Sequence, residues 1–269
     1  MFSPRGRHLE RGWPGRIEGD RVVQLAAQTL QSFFTGGGTA REHAEYPLAD
    51  VQLLAPVLHP PSVRDFYAFE QHVKTARSAR GLDVPAEWYE QPVFYFSNPA
   101  AIYGPDQAIP YPAGTEELDY ELEVAAIIGD EGRIGGFTIM NDWSARDLQR
   151  AEMRVGLGPA KGKDFATSLG PVVVTPDEFG GDEAEMVARV NGEERSRGNL
   201  RDLFHPWDRI VEHAARNTRL YPGDVIGSGT VGTGCILELA DGRWLQPGDV
   251  VELEVEGIGV LRNVVGARP

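Results

Sequence analysis

The sequence predicts a mainly β protein with a few helices, an α+β chain in which strands outnumber helices. Three observations carry this reading. Gly is 32 and Pro 19 of 269 residues, so turns are frequent and long helices few. The apolar runs are short, rich in β-branched residues, and bounded by Gly or Pro. The hydrophobic fraction of 41% and charged fraction of 25% are those of a globular chain with a sizeable core, which excludes disorder as the general state.

The elements follow in order. Ile17 to Val23 is expected as a short strand with a turn at Gly19–Asp20, and Val22 to Phe34 as a helix stopped by Gly36, Gly37 and Gly38. Val51 to Val57 reads as a strand before Pro60 and Pro61. A soft boundary near residue 62 separates a small N-terminal region, 1–62, from a larger body, 63–269. In the body, Val93–Ser97, Tyr120–Ile128, Gly136–Met140, Pro171–Val174, Met186–Val190, Cys235–Leu239 and Val250–Val255 read as strands. Ser144–Val155 reads as a helix with a Ser144/Asp147 capping box. Leu200–Asn217 reads as another, interrupted or restarted at Pro206.

Forty acidic residues against 26 basic ones leave a formal charge of −14. That opposes a nucleic-acid partner and an anionic membrane surface. It does not oppose a small acidic substrate, because a few local cations can dominate one pocket. No apolar run approaches the ~20 residues of a membrane span. The opening stretch MFSPRGRHLERGWPGR lacks the apolar centre of a signal peptide. The single cysteine, Cys235, permits no disulfide within the chain, so a cytoplasmic location is the simplest expectation.

The most informative segment is TEELDYELEV, residues 115–124. As a strand it points Asp119, Glu121 and Glu123 to one face and Tyr120, Leu122 and Val124 to the other. Like charges on one buried face repel, and a divalent cation would remove that penalty. Oxygen-only ligands suit Mg²⁺, Mn²⁺ or Ca²⁺ rather than Zn²⁺. A solvated face gives the same pattern, and Glu252, Glu254 and Glu256 near the C-terminus repeat it; that second set reads as solvent-facing. The first set gains weight because the apolar run Ala125–Ile128 continues its strand toward a core.

Other residues are open to two readings. Asp142, between a strand and a helix, suits a ligand or a helix cap. Arg146 and Gln149 share one helix face; Arg146 could grip a carboxylate or form a surface ion pair. Asp65, Tyr67 and His72 lie close in sequence, although a lone histidine is more often structural. Lys161 and Lys163 sit on a Gly-flexed loop that could equally be a solvated turn. The Gly-rich stretch Gly227–Gly234 lacks the Lys-Ser/Thr ending of a P-loop. Its glycines suit close backbone approach to a ligand or another strand.

Together these segments resemble the fumarylacetoacetate hydrolase family. The matching pieces are DFYAFEQH (65–72), PVFY (92–95), DYELEVAAIIG (119–129), FTIMNDWSARDLQ (137–149), GKDFATSLGP (162–171), YPGDVIGSGT (221–230) and GCILEL (234–239), in the family's order. The resemblance implies a mixed β-sandwich roll of the family's C-terminal type over residues 63–269. It also implies a homodimer and a divalent cation, Mg²⁺ or alternatively Mn²⁺ or Ca²⁺. It assigns the metal to Asp65, Glu121, Glu123 and Asp142, with Asp119 supporting them from behind. His72 matches the water-activating histidine of the family's carbon–carbon hydrolases, and Glu238 the glutamate that orients it. Lys163 matches an oxyanion-stabilising position, and Tyr67, Tyr95, Arg146, Gln149 and Thr230 match substrate-binding positions. Arg80 stands near the place of a further family arginine.

The resulting expectation is a hydrolase of a 1,3-diketo acid of fumarylacetoacetate or acylpyruvate type. The alternative within the family is a decarboxylase or tautomerase of a 2-oxo acid such as oxaloacetate. An alternative of another class is a non-catalytic protein that binds a metal and an organic acid.

Overall fold

The computed structural model describes residues 1–7, 9–181 and 183–269. Its centre is a seven-stranded sheet in the order Phe94–Ser97, Val63–Phe66, Val225–Gly227, Leu122–Ile128, Ile134–Asp142, Thr167–Val174 and Ile102–Tyr103. Neighbours are antiparallel except for two parallel pairs, Val63–Phe66 with Val225–Gly227 and Thr167–Val174 with Ile102–Tyr103. A five-stranded sheet runs Glu193–Asn199, Glu185–Val190, Val250–Val255, Gly259–Val265 and Ala108–Ile109. The N-terminal region contributes a three-stranded meander, Gly15–Glu18, Arg21–Leu25 and Glu42–Pro47. The chain is therefore mainly β with a few short helices, a curled half-barrel. Among the described residues no helix is long and apolar enough to cross a membrane.

The strand Leu122–Ile128 is buried along its whole length because both its faces are covered. Leu122, Val124, Ala126 and Ile128 pack with Met186, Ala188, Val251 and Leu253 of the second sheet. Ala125 and Ile127 point the other way, into a cluster with Val63, Met140, Val225 and the N-terminal Phe34, Ala55 and Val57. Since side chains alternate along a strand, the face that bears Ala125 and Ile127 also bears Glu123 and Glu121. Asp65 likewise follows Val63 on its strand, and Asp142 follows Met140. The apolar patch thus gives way to acids at one end of the same sheet face.

Several elements differ from the sequence expectation. Val22 and Val23 belong to a strand that pairs across the Gly19–Asp20 turn, so no helix spans Val22–Phe34. The helix is only Leu30–Thr35, started by a Thr29/Ser32 capping box. The strand at Val51 ends at Leu53. The helix read from Ser144 begins at Arg146, because Ser144 pairs with Asp119 in a small antiparallel ladder. No capping box forms there, since Asp147 accepts instead from Thr115 and the Glu116 amide. The chain restarts as a helix after Pro206, at Trp207–Ala215. Cys235–Leu239 is not a strand: after one bridge between Cys235 and Glu121, Ile236–Leu239 turns helical. The cause is Asp119, whose carboxylate accepts from the Ile236 and Leu237 amides at 2.7 and 3.1 Å.

Candidate active site

Every expected site residue except Asp142 and Glu238 lines one cavity of about 830 Å³. Those two stand directly behind its wall. Asp65, Glu121 and Glu123 each offer a carboxylate oxygen, and these atoms lie within 4.8 Å of one another. Asp142 joins them through Lys163, whose Nζ donates to Asp142 Oδ2 at 2.5 Å and also to Glu121. The Tyr95 hydroxyl donates to Asp142, and Lys163 lies over the Tyr95 ring at 5.7 Å. All four acids are buried.

Room for this crowding comes from a missing side chain. Gly227 pairs with Asp65 on one side and Ala125 on the other. A Cβ at Gly227 would fall 2.5 Å from Asp65 Oδ1 and 3.0 Å from Glu123 Oε2, so only glycine fits. A second close approach is Gly229, where a Cβ would meet the Phe66 carbonyl oxygen at 2.4 Å. These positions give the Gly-rich stretch its physical reason.

The electrostatics are strained. Burial, with Asp142 nearby, pushes the Asp65 carboxyl well above the ordinary range. Burial, with Asp65, Glu121 and Asp142 nearby, does the same to Glu123. Burial also raises Asp142, against the pull of Lys163. Glu121 goes the other way: burial would raise it, but Lys163, Arg146 and His72 together hold it well below the usual range. Burial disfavours the Lys163 ammonium, yet Asp142 and Glu121 hold its pKa above the usual value. Asp65 Oδ1, Glu123 Oε2 and Asp142 Oδ1 are buried and receive no donor from the rest of the protein; without a cation, a proton shared between Asp65 and Glu123 is the relief left to that pair. Four buried carboxylates against the one ammonium of Lys163 leave an excess of negative charge, and their all-oxygen donor set fits a hard divalent cation.

Arg146 is the other organising cation. Its Nε donates to Asp119 at 2.8 Å and its NH2 to Glu121 at 2.7 Å, while NH1 reaches Gln149 at 3.1 Å. Asp119 is therefore turned away from the carboxylate cluster. It braces both Arg146 and the helical turn that carries Glu238. Thr230 donates to Glu123 at 3.3 Å, and the Asn141 side chain accepts from the Glu121 amide at 2.9 Å.

His72 sits on the helix Glu70–Ser78, an element absent from the sequence expectation; His72, Val73 and Ala76 form its buried face. His72 Nδ1 lies 2.9 Å from Glu238 Oε2, and the Tyr67 ring meets the imidazole edge to face at 5.3 Å. Burial pushes the Tyr67 hydroxyl up to about 12, so it is a neutral donor. The stretch Ser78–Trp88 flanks the cavity with Ala79, Arg80 and Leu82. Arg77 on that side and Arg150 and Arg154 on the helix side also line it. These last three were not singled out from the sequence; the i, i+4, i+8 spacing of Arg146, Arg150 and Arg154 was the available signal.

The sequence matches the family description "Fumarylacetoacetate (FAA) hydrolase C-terminal" over residues 62–266. The chain belongs to the fumarylacetoacetate hydrolase family. Residues 14–56 match "Rv2993c-like, N-terminal". A curated relative is oxaloacetate tautomerase FAHD2A of Bos taurus, 32% identical over 233 residues, covering 81% of this chain and 71% of the relative. The solved fumarylacetoacetate hydrolase of Exiguobacterium antarcticum is 31% identical with a TM-score of 0.79, and 96% of each chain is covered. The 5-carboxymethyl-2-hydroxymuconate delta-isomerase of Mycobacterium smegmatis is 31% identical with a TM-score of 0.74, over 95% of this chain and 94% of that one. This protein is thus an enzyme of a family whose similar members carry tautomerase, isomerase and hydrolase names, and hydrolysis is not singled out among them.

Proposed function

We propose that this enzyme interconverts the keto and enol forms of a small 2-oxo acid with a second carboxylate, of oxaloacetate type. The observation that carries the reading is one cavity holding partnerless buried carboxylate oxygens, Lys163 and the His72–Glu238 pair. Asp65, Glu121, Glu123 and Asp142 would hold Mg²⁺ or Mn²⁺, with Ca²⁺ as the less demanding alternative. When bound, such an ion supplies Lewis-acid stabilisation of negative charge on a carbonyl oxygen.

The chain's own residues do the rest. Keto-to-enol conversion removes a proton from the carbon beside the carbonyl and places one on the oxygen. Glu238 lies against Nδ1 of His72, which leaves Nε2 for the cavity side. There the imidazole takes the carbon's proton and Glu238 stabilises the resulting imidazolium. The same imidazolium returns a proton to oxygen, or to carbon in reverse. Lys163, Arg146 and Gln149 orient the acid next to the reacting carbon, and Tyr67 and Tyr95 supply neutral hydroxyls. Arg77, Arg80, Arg150 and Arg154 ring the cavity, so a dianion meets positive charge despite the chain's net −14.

The comparisons favour this proton-transfer reading over the hydrolysis first expected, because a tautomerase and an isomerase stand among the similar proteins. Hydrolysis of a 1,3-diketo acid is the second reading. Its support is the His72–Glu238 pair, which can activate water as readily as it can accept a carbon-bound proton. In this reading the enzyme works as a homodimer, as its family resemblance implies.

The test is direct. The Mg²⁺-supplied enzyme is given oxaloacetate, an acylpyruvate series, fumarylacetoacetate and a 2-hydroxymuconate-type diacid, and products are identified. Faster decay of enol-oxaloacetate absorbance without loss of carbon supports tautomerisation; carbon–carbon cleavage of an acylpyruvate supports hydrolysis instead. His72→Ala should slow the turned-over substrate by about 10²–10⁴-fold with cation binding retained. A near wild-type rate would remove His72 from the mechanism.

A further inference from the structure

Behind the carboxylate cluster lies a second set of donor atoms with different chemistry. His72 Nδ1, Cys235 Sγ and a Glu238 oxygen all lie within 4.8 Å of one another. Glu238 Oε2 is 2.9 Å from the imidazole nitrogen and 3.5 Å from the sulfur. Cys235 and Glu238 are three residues apart on one turn, so they share a face. His72 reaches them from the helix Glu70–Ser78. The three side chains are almost wholly buried: His72 is 4% and Cys235 0% exposed, and the Glu238 side chain is 1% exposed. His72 Nδ1 makes no aligned hydrogen bond, although it is aimed into the group.

We propose that His72, Cys235 and Glu238 form a second cation site, selective for a thiophilic divalent ion such as Zn²⁺, whose occupation switches the enzyme off. Imidazole, thiolate and carboxylate are each zinc ligands, and three protein donors with a fourth position left for water is the arrangement of open zinc sites. The neighbouring all-oxygen cluster suits Mg²⁺, so the two sites sort ions by softness.

The proton balance explains why the second site is inhibitory. A zinc ion needs the thiolate, so one proton leaves Cys235 for solvent. It also needs the lone pair of His72 Nδ1, which places the remaining ring proton on Nε2. An Nε2 that already carries a proton cannot accept one from substrate or water. Glu238 is drawn to the ion at the same time and no longer supports an imidazolium.

The experiment uses the full chain supplied with Mg²⁺ and two probes, Co²⁺ and Zn²⁺. Co²⁺ should produce a near-ultraviolet thiolate-to-cobalt charge-transfer band that saturates at one ion per chain, and Cys235→Ser should lack it. Zn²⁺ should inhibit wild-type enzyme, and Cys235→Ser, with basal activity kept, should need at least ten-fold more Zn²⁺ for equal inhibition. Cys235→Ala repeats both measurements if the serine variant folds poorly. No thiolate band in wild type overturns the site. Equal Zn²⁺ sensitivity in wild type and variant also overturns it, because zinc would then act through the carboxylates. The spectral arm needs no turnover, so its failure is separable from failure of the tautomerase reading.

Discussion

Two strands of this molecule carry the same Glu-x-Glu repeat and put it to opposite uses. Glu121 immediately precedes the strand Leu122–Ile128 and Glu123 lies in it; Glu252 and Glu254 lie on Val250–Val255. Both strands are central in their sheets, so backbone pairing does not separate them. What covers each face does. Leu122–Ile128 is packed by the second sheet on one side and by the N-terminal region on the other. Val250–Val255 buries Val251, Leu253 and Val255, and leaves its glutamates beside Arg189 and Arg262 at the surface. Glu254 takes an ion pair with Arg189 at 2.6 Å, and such exposed pairs contribute little. Glu123 has no such release. The difference teaches that an acidic strand face becomes a site only where a neighbouring layer shuts out water.

That contrast can be broken at several points. The largest effect is expected for Glu123→Gln. Activity should fall at least ~10³-fold, the several kcal/mol that a Lewis-acid ion supplies. The cation-free protein should nevertheless melt higher at neutral pH, because the fold no longer has to keep a buried carboxyl protonated beside Asp65, Glu121 and Asp142. Steady-state kinetics and thermal melts check both halves; a variant that is active, or less stable without cation, breaks the contrast. Lys163→Met comes next. It strands Glu121 and Asp142 with less compensation, so the cation-free protein should lose about 3 kcal/mol or more, partly restored by Mg²⁺. Denaturant unfolding with and without Mg²⁺ measures it, and an unchanged midpoint would contradict the pairing.

A smaller effect is expected from pH. Asp65 and Glu123 hold protons in the fold at pH values where the unfolded chain, with carboxyls titrating at about 4, has lost them. The folded state then binds more protons, so stability falls as pH rises through the raised folded values. These two groups stabilise fully below the unfolded range and cease to do so above the folded one. Glu121, held low, contributes in the opposite sense, but its window lies below the unfolded range. A divalent cation needs deprotonated ligands, so its increment in Tm should grow with pH. Melts from about pH 5 to 8 with and without Mg²⁺ decide this; an increment that shrinks with rising pH would count against the site. The smallest effect is Glu254→Gln, which should change stability by no more than about 0.5 kcal/mol and leave kinetics alone.

Much of the fold is legible in local pattern, and the exceptions have tertiary causes. Val250–Val255 alternates as a strand should, and Glu185–Val190 shows itself by a short apolar run in which Met186, Val187 and Ala188 are all buried. Glu193–Asn199, EERSRGN, has almost no apolar residue and is a strand only because Glu185–Val190 pairs with it. Cys235–Leu239 is apolar enough for a strand, yet the distant Asp119 carboxylate captures its amides and turns it helical. Of the site, the acidic pattern was visible, but Glu252 and Glu254 show it equally. The family resemblance brought Asp65, Asp142, His72 and Glu238 to the same place. The reason Gly227 must be glycine, and the nearness of Cys235 to His72, depend on contacts across more than a hundred residues that no local spacing encodes.

The central claim is that Asp65, Glu121, Glu123 and Asp142 hold one hard divalent cation. Mn²⁺ binding followed by electron paramagnetic resonance tests it most directly. The wild-type chain should take up one Mn²⁺ at neutral pH, displaced by Mg²⁺, and Glu123→Gln should take up none at the same concentration. Equal Mn²⁺ binding by the two proteins, or none by either, would contradict it.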